Sequence, residues 1–480
     1  MRVTVVSDEL VKPETSNRQH PKFLELSVLD QVQFRYHWPP LLAFFDPPKV
    51  PFYPLAGRFV HRAEGCLAID CNDAGILVRV AEANCKTPQA IATGMNMAGS
   101  QKLYVSKRGE DVTTVPPLLV QFTRFQDDAI SVSFCFHHTV CDAAGYSMFI
   151  NYWSELMREK QPSLEPNHER FRLPKTPPSP LVVSDEAIGM LGTQFFREPS
   201  NDRFAFRGNL RSPLVIFHEA VTVPRRTAGV VGAVTSKPLA KGTRAPRPGR
   251  PAIPIPLAVM LMFGVPLLRR RALPFVPALK ADASQGLPAG RFVSTNDALT
   301  ALLWLSITAA RGLDPKQVTR LGFPVNVRSR TEPPLPEAYF GNASLLTTES
   351  QAAAGEVTTQ PLSWSASIVR DTVSRVDAAY ANSALDQIRS MPDKDARASP
   401  LSIHRGPDVF LTSFVKFPFN EIDLGWGPPV SFGVANLLLA LDGFIVLVET
   451  MGGVCAYVGL LAKHMARLLA DETFMKYVGL

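Results

Sequence analysis

The sequence predicts an α/β protein of two domains built on mixed sheets. Three observations carry that expectation. The chain has 480 residues, 46% of them hydrophobic, enough to bury more than one core. Around residue 137 the apolar spacing changes from a strand's to a helix's within one short segment. Between Pro162 and about Pro213 proline and charge are frequent and periodicity is poor, as in an exposed crossover between domains. The implied boundaries are 1–168 for the first domain, 169–215 for an exposed crossover, and 216–480 for the second, which contains an anomalous segment at 223–285.

Residues 1–55 hold a strand and a proline-rich connection. In Trp38-Pro-Pro-Leu-Leu-Ala-Phe-Phe-Asp-Pro-Pro48 the prolines exclude a regular helix. Residues 56–130 read as short strands and one helix, with Asn72-Asp-Ala-Gly75 as a hairpin-like turn between Cys66–Asp70 and Ile76–Val80. Next comes the strongest local signal. Ile130, Val132, Phe134 and Phe136 alternate with Ser131, Ser133 and Cys135, the period-two pattern of a half-buried strand. After Gly145 the apolar residues Phe149, Trp153 and Leu156 recur at three and four, as on an amphipathic helix. His137 and His138 therefore stand where a strand becomes a loop, and Asp142 follows at the turn into the helix. A loop on a rigid scaffold can hold an imidazole at a cavity wall, where it can exchange a proton near neutrality. The alternative is a hydrogen-bonded core histidine beside an ordinary turn aspartate, because this spacing also arises by chance.

The segment 223–285 follows neither period for long. It combines Pro224-Arg-Arg226, a run of basic residues and prolines from Lys241 to Pro251, and Arg269-Arg-Arg271 with a broken apolar tract. Three explanations stay open: a disordered surface insertion, a basic membrane- or nucleic-acid-contacting loop, or translated sequence foreign to the mature transcript. Patterning then returns. Ala298, Leu302, Trp304, Leu305 and Ile307 suggest a buried helix, Leu321–Val327 a strand, and Ser363–Ile388 a helical stretch. Phe410–Phe419 and Phe444–Thr450 read as strands, and Leu460–Ala470 as a last helix. Asp423-Leu-Gly-Trp-Gly427, closed by Pro428 and Pro429, describes a tight turn clamped by a large ring.

Together, His138-x-x-x-Asp142 in the first third and Asp423-Leu-Gly-Trp-Gly427 near the end resemble the BAHD family of coenzyme-A-dependent acyltransferases. Pairing, order and separation are far more specific than either motif. Pro51-Phe-Tyr-Pro-Leu-Ala-Gly-Arg58, the start Leu26-Ser-Val-Leu-Asp30, Ser294-Thr-Asn-Asp297, Val325-Asn-Val-Arg328 and Tyr339-Phe-Gly-Asn342 extend the resemblance over roughly residues 25–170 and 290–445. It implies a two-domain fold with helices around a central solvent channel, acyl-CoA as co-substrate with no permanently bound cofactor, and a small alcohol or amine as acceptor. It makes His138 the general base of a direct transfer. Asp142 becomes a support that turns away from the substrate to pair with Arg328, and Thr412 a hydroxyl near the tetrahedral intermediate. Ser294 and Asp297 become neighbours of the pantetheine arm, and Asp423, Gly425, Trp426 and Gly427 structural, bracing the channel from a distance. Three positions depart from the family: Phe414 stands where a tryptophan N–H is common, Ala143 where glycine is common, and Leu424 where phenylalanine is common. A nucleophilic serine is unsupported, for there is no G-x-S-x-G elbow. A peptide-forming condensation domain shares the histidines and aspartate but leaves the Asp423 motif unexplained. The remaining alternative is an inactive or regulatory relative, disrupted by 223–285.

Composition narrows the field. The net charge is +7, but Ala220–Ala281 holds eleven Lys or Arg and no Asp or Glu, so the rest is net acidic and the basic balance belongs to one segment. That segment has almost no aromatic residues to stack on bases, so nucleic acid is not expected as a partner. The six cysteines show no metal-binding spacing, no metal is expected, and Cys135 reads as a small buried residue. The longest uncharged apolar run, Ala252–Leu268, is broken by prolines, so no membrane insertion is expected. Met1-Arg-Val-Thr-Val-Val lacks a signal peptide's apolar core, which favours a reduced cytoplasmic setting, and a monomer is expected.

Overall fold

The computed structural model describes residues 2–12, 21–31, 50–62, 66–86, 102–170 except 106, 108 and 109, 210–211, 214–218, 275–390, 401, 406–429, 432–434, 442–450 and 453–478. The first half runs β1 (Val3–Val11), β2 (Phe23–Glu25), α1 (Val28–Gln31), β3 (Arg58–His61), β4 (Leu67–Asp70), β5 (Ile76–Ala83), β6 (Leu118–Arg124), β7 (Ile130–Phe136) and α2 (Ala143–Met157). The second runs β8 (Leu210–Arg211), β9 (Leu214–His218), α3 (Phe275–Ala283), α4 (Thr295–Arg311), β10 (Val318–Asn326), β11 (Ser344–Ala353), α5 (Ala354–Thr359), α6 (Leu362–Arg375), α7 (Ala378–Ser390), β12 (Val409–Ser413), β13 (Phe444–Thr450), β14 (Gly453–Val458), β15 (Leu460–Leu461), α8 (Ala462–Ala470) and α9 (Glu472–Met475).

Both main sheets are mixed. The first has the order β1-β5-β6-β7, with β5 and β6 parallel and the outer pairs antiparallel. The second has the order β11-β10-β12-β13-β14-β9, with parallel β10-β12 and β12-β13 at its centre. A three-stranded sheet β2-β4-β3 and the short pair β15-β8 complete the set. Helix α4 begins where Ser294 and Asp297 form a reciprocal capping box, and ends at Gly312 in the left-handed region. Between them Ala298, Leu299, Leu302, Leu303, Trp304 and Ile307 are buried, and Leu305 is half-buried.

One hydrophobic cluster lies within the second half, around α4, α6 and the inner face of the large sheet, and draws in only Leu29 from the first. The other joins the halves: Phe59, Phe134, Phe136 and Phe149 pack in one cluster with Phe410, Phe444 and Val446. The α/β class stands, and this shared core is what holds the β7–α2 loop against the end of β10.

Four element expectations change. Asn72–Gly75 does not close a hairpin: β4 pairs with β2 and β3, whereas β5 pairs with β1 and β6 in another sheet. Gly75 is needed there because φ is +91° and a Cβ would lie 2.5 Å from the Val11 carbonyl oxygen. The helical stretch 363–388 is two helices, parted where the Asp377 carboxylate accepts the Tyr380 N–H at 2.9 Å and starts a new one. Strand β12 stops at Ser413 rather than Phe419, because Lys416 at φ 82° turns the chain before Pro418. The end of the anomalous segment is regular: α3 buries Val276, Leu279 and Ala283 in the second-half core. The rest of 223–285 lies outside the described residues, as do Trp38–Pro48 and most of the 169–215 crossover. No described helix is long and apolar enough to cross a membrane.

Candidate active site

The alternation of 130–136 forms β7 against β6, and its last residue delivers the two histidines to the rim of the first sheet. They part ways there. His137 donates its backbone N–H to Pro117 (2.8 Å), and its ring lies 4.6 Å from that of Phe59, so it belongs to the core. His138 opens the loop and is 7% exposed. Burial pushes its imidazole from 6.5 down to about 4, although its own backbone carbonyl, Asp142, Asn342 and Asp30 pull the other way. The ring is therefore neutral, and able to accept a proton, throughout the neutral range.

Asp142 is the N-cap of α2. Its Oδ1 accepts the N–H groups of Ala144 (3.2 Å) and Gly145 (3.1 Å). Arg328, two residues past β10, donates Nη1 to Oδ2 and Nη2 to Oδ1, both at 2.8 Å. Ala343 N–H (2.9 Å) and Ser344 Oγ (3.2 Å) also donate to Oδ2. Burial alone would raise this carboxyl, yet the Arg328 charge, its hydrogen bonds and the backbone donors hold it below the ordinary range. Both oxygens are thus occupied by donors from three segments. Such a carboxylate is a structural anchor and does no acid–base work of its own. Ala143 begins the helix with helical geometry, so the position carries a side chain without strain.

The parallel pairing of β10 and β12 brings Thr412, near the end of β12, to the same end of the sheet as Arg328. Thr412 is 6% exposed. Phe414, just beyond it, is buried among Phe417 and Phe419. A cavity of about 790 Å³ opens between α2 and the end of β10, lined by Ser147, Met148, Asn151, Arg328, Phe417 and Glu421 among others. It lies against Arg328 and not against the His138 ring.

The other residues singled out by sequence lie apart from this loop. Ser294 and Asp297 cap α4, and the Asp297 carboxylate also takes an ion pair from Arg370. Among the described residues no hydrogen bond ties them to the His138 loop. In the late turn, Asp423 Oδ1 accepts the N–H groups of Gly425 (2.9 Å) and Gly427 (2.8 Å), whose φ angles are +89° and +87°. Trp426 is 64% exposed, so the carboxylate, and not the ring, closes this turn. Leu424 keeps the apolar role of its position, 7% exposed in the shared core. Ser154 of α2 joins the turn to the helix: its Oγ donates to the Asp423 carbonyl (2.8 Å) and accepts the Asp423 N–H (3.1 Å).

Sequence reasoning missed Ser154 and a second buried group on the loop. Asp30 and Arg170 pair at 2.7 Å, and Arg170 Nη2 donates to the Val140 carbonyl at 2.7 Å. The nearest signal for Asp30 was the resemblance of Leu26–Asp30 to a family segment. Arg170 had none. Cys135 is buried, which pushes its thiol well up, so it serves as a core residue. Among the described residues no three His, Cys, Asp or Glu converge as metal ligands would.

The chain is similar to known proteins over most of its length. A hydroxycinnamoyltransferase of Oryza sativa subsp. japonica is 28% identical over 97% of this chain and 98% of its own length. A hydroxycinnamoyl-CoA:5-hydroxyanthranilate N-hydroxycinnamoyltransferase of Avena sativa is 29% identical over 87% of this chain and 83% of its own. In structure the chain is similar to F. graminearum TRI101 complexed with coenzyme A and T-2 mycotoxin, with a TM-score of 0.67, 17% identity, and 95% and 99% of the two chains covered. The model of the Transferase family matches residues 50–202 and 275–475, passing over 203–274, where most of the anomalous segment lies. The chain belongs to this Transferase family, the BAHD acyltransferases.

Proposed function

We propose that the protein moves an acyl group from a coenzyme A thioester to a hydroxyl or amine of a small specialised metabolite, with His138 as general base. The single observation that carries this is a buried, neutral histidine on a loop whose aspartate is locked by Arg328. The imidazole takes the acceptor's proton as the acceptor oxygen or nitrogen attacks the thioester carbonyl. The tetrahedral intermediate collapses with cleavage of the C–S bond. The departing thiolate then recovers the proton from the imidazolium, so no acyl-enzyme forms and nothing is oxidised. Thr412 supplies a hydroxyl to the oxyanion. Phe414 has no donor, so the acceptor is held without an indole N–H at that position.

The relatives' names point to a hydroxycinnamoyl donor. Coenzyme A serves as a co-substrate and not as a resident group; the similar F. graminearum TRI101 structure is a complex with coenzyme A. Ser294 and Asp297 act on the pantetheine side by fixing the start of α4, and the division at 168 and 215 separates the two domains that flank the cleft. A cytoplasmic monomer without membrane insertion completes the reading.

Coenzyme A release against a panel of acyl-CoA donors and pooled alcohols and amines, with His138→Ala in parallel, tests it. Release that needs an acceptor and falls by about 10²–10⁴-fold in the variant is expected. A folded wild type as silent as the variant would favour the inactive relative.

A further inference from the structure

The loop from His138 to Asp142 is gripped from a second direction. Asp30, fully buried, receives four donors: Ser27 N–H (2.8 Å) and Arg170 Nη1 (2.7 Å) on Oδ2, and the N–H (2.9 Å) and Nδ2 (2.8 Å) of Asn342 on Oδ1. Asn342, also fully buried, donates from the same Nδ2 to the His138 carbonyl at 2.9 Å. That amide faces a carboxylate and a carbonyl, both acceptors only, so its NH₂ must be on this side. Arg170 splits its guanidinium between Asp30 and the Val140 carbonyl. The loop is thus fixed at the carbonyls of 138 and 140 by one cluster and at the carboxylate of 142 by Arg328.

We propose that Asn342, held in place by Asp30 and Arg170, is a positioning residue that sets the pose of His138 by gripping its backbone carbonyl. This rests on His138 being the base. The physical reason is asymmetry: Arg328 anchors only the far end of the loop, four residues from the base, and leaves the carbonyl next to the imidazole to another donor. Removing that donor strands a buried carbonyl and lets the ring shift, and a base displaced by about 1 Å can lose about 10²-fold in rate. Burying the Asp30–Arg170 pair carries a desolvation cost that surface residues would not, which fits a role in holding geometry.

Two variants separate the donor from its shape. Asn342→Asp keeps the outline and replaces the donor with an acceptor; Asn342→Ala removes both. Each should lower kcat about 10–100-fold while KM for the acyl-CoA stays within about twofold. The acid limb of the pH profile should also move from about 4 in Asn342→Ala, where the imidazole loses one of the groups that act on it and water reaches the ring. Arg170→Lys, which keeps the charge but loses the fork, should give the same pattern several-fold weaker and covers the case in which neither Asn342 variant folds. Folded variants with wild-type kcat and an unmoved limb overturn the proposal. If the wild type turns over nothing, the transferase reading has failed separately. The positioning role is then read from the NMR titration of His138 in Asn342→Ala, assigned by its loss in His138→Ala: a shift of about half a unit or more in either direction supports it, and no change overturns it.

Discussion

At the His138 loop, Asp142 accepts the N–H groups of Ala144 and Gly145; at the late turn, Asp423 accepts those of Gly425 and Gly427. The local device is the same, a short carboxylate closing a turn on the backbone. The surroundings differ. Asp142 is 5% exposed and also holds Arg328, Ala343 and Ser344, whereas the Asp423 turn has a half-buried aspartate, two exposed glycines and an indole turned outward. Burial is what converts a common turn into a rigid anchor for the His138 loop, since in a dry environment each missing partner costs far more than in water.

The largest test of this contrast is Asp142→Ala. It leaves Arg328 buried without its carboxylate and strips the cap from α2. A loss of about 3–5 kcal/mol is expected by denaturant unfolding, together with loss of coenzyme A release. A cost below about 1 kcal/mol would show that burial adds nothing to the turn.

The second test is pH. His138 has a folded value lowered to about 4 against 6.5 when unfolded, so between these values the unfolded chain binds the proton that the folded one refuses. Its contribution to stability is therefore intact above 6.5 and falls as pH drops to about 4, below which nothing more is lost. Asp142, also lowered, gives stability that is present above the unfolded 3.8 and lost as pH falls through its folded value. The rate of a protein still folded should decline near pH 4 and not near 6.5. A decline centred near 6.5 would mean that the imidazole is hydrated.

How much of this was legible beforehand depends on the range of each interaction. The strand of 130–136 and the helix after Gly145 are local periodicities, and both stand. The Asp142–Arg328 pair spans 186 residues and came from the family resemblance, because no spacing in a single chain reports such a contact. Asn72–Gly75 looked like a hairpin because its turn chemistry is right, and only sheet membership shows that its flanking strands never pair. Arg170 was invisible because its partners at Asp30 and Val140 lie 140 and 30 residues away, in a stretch with no regular period. Trp426 misled in the opposite sense: a large ring between glycines suggests a clamp, while the short side chain of Asp423 makes the bonds.

A third test weakens the late turn. Asp423→Ala removes two acceptor contacts at a part-exposed site, and about 1 kcal/mol is expected. Ser154→Ala removes the buried hydroxyl that joins the turn to α2, and should cost about 1–2 kcal/mol with little change in KM for the acyl-CoA. A larger effect of Asp423→Ala than of Asp142→Ala would invert the comparison.

The smallest effect is expected at Trp426. An indole 64% exposed on a turn already closed by Asp423 adds little to folding, so Trp426→Ala should change stability by no more than about 0.5 kcal/mol. Gly425 and Gly427 differ: their left-handed angles cost any other residue about 1 kcal/mol even though the space around them is open. Measured side by side, Gly427→Ala should therefore be the more damaging variant, which separates a turn held by backbone conformation from one held by a ring. If Trp426→Ala instead left stability alone but raised KM for the acyl-CoA several-fold, the exposed ring would be a contact for the ligand. The late motif would then serve binding through its tip and structure through its aspartate.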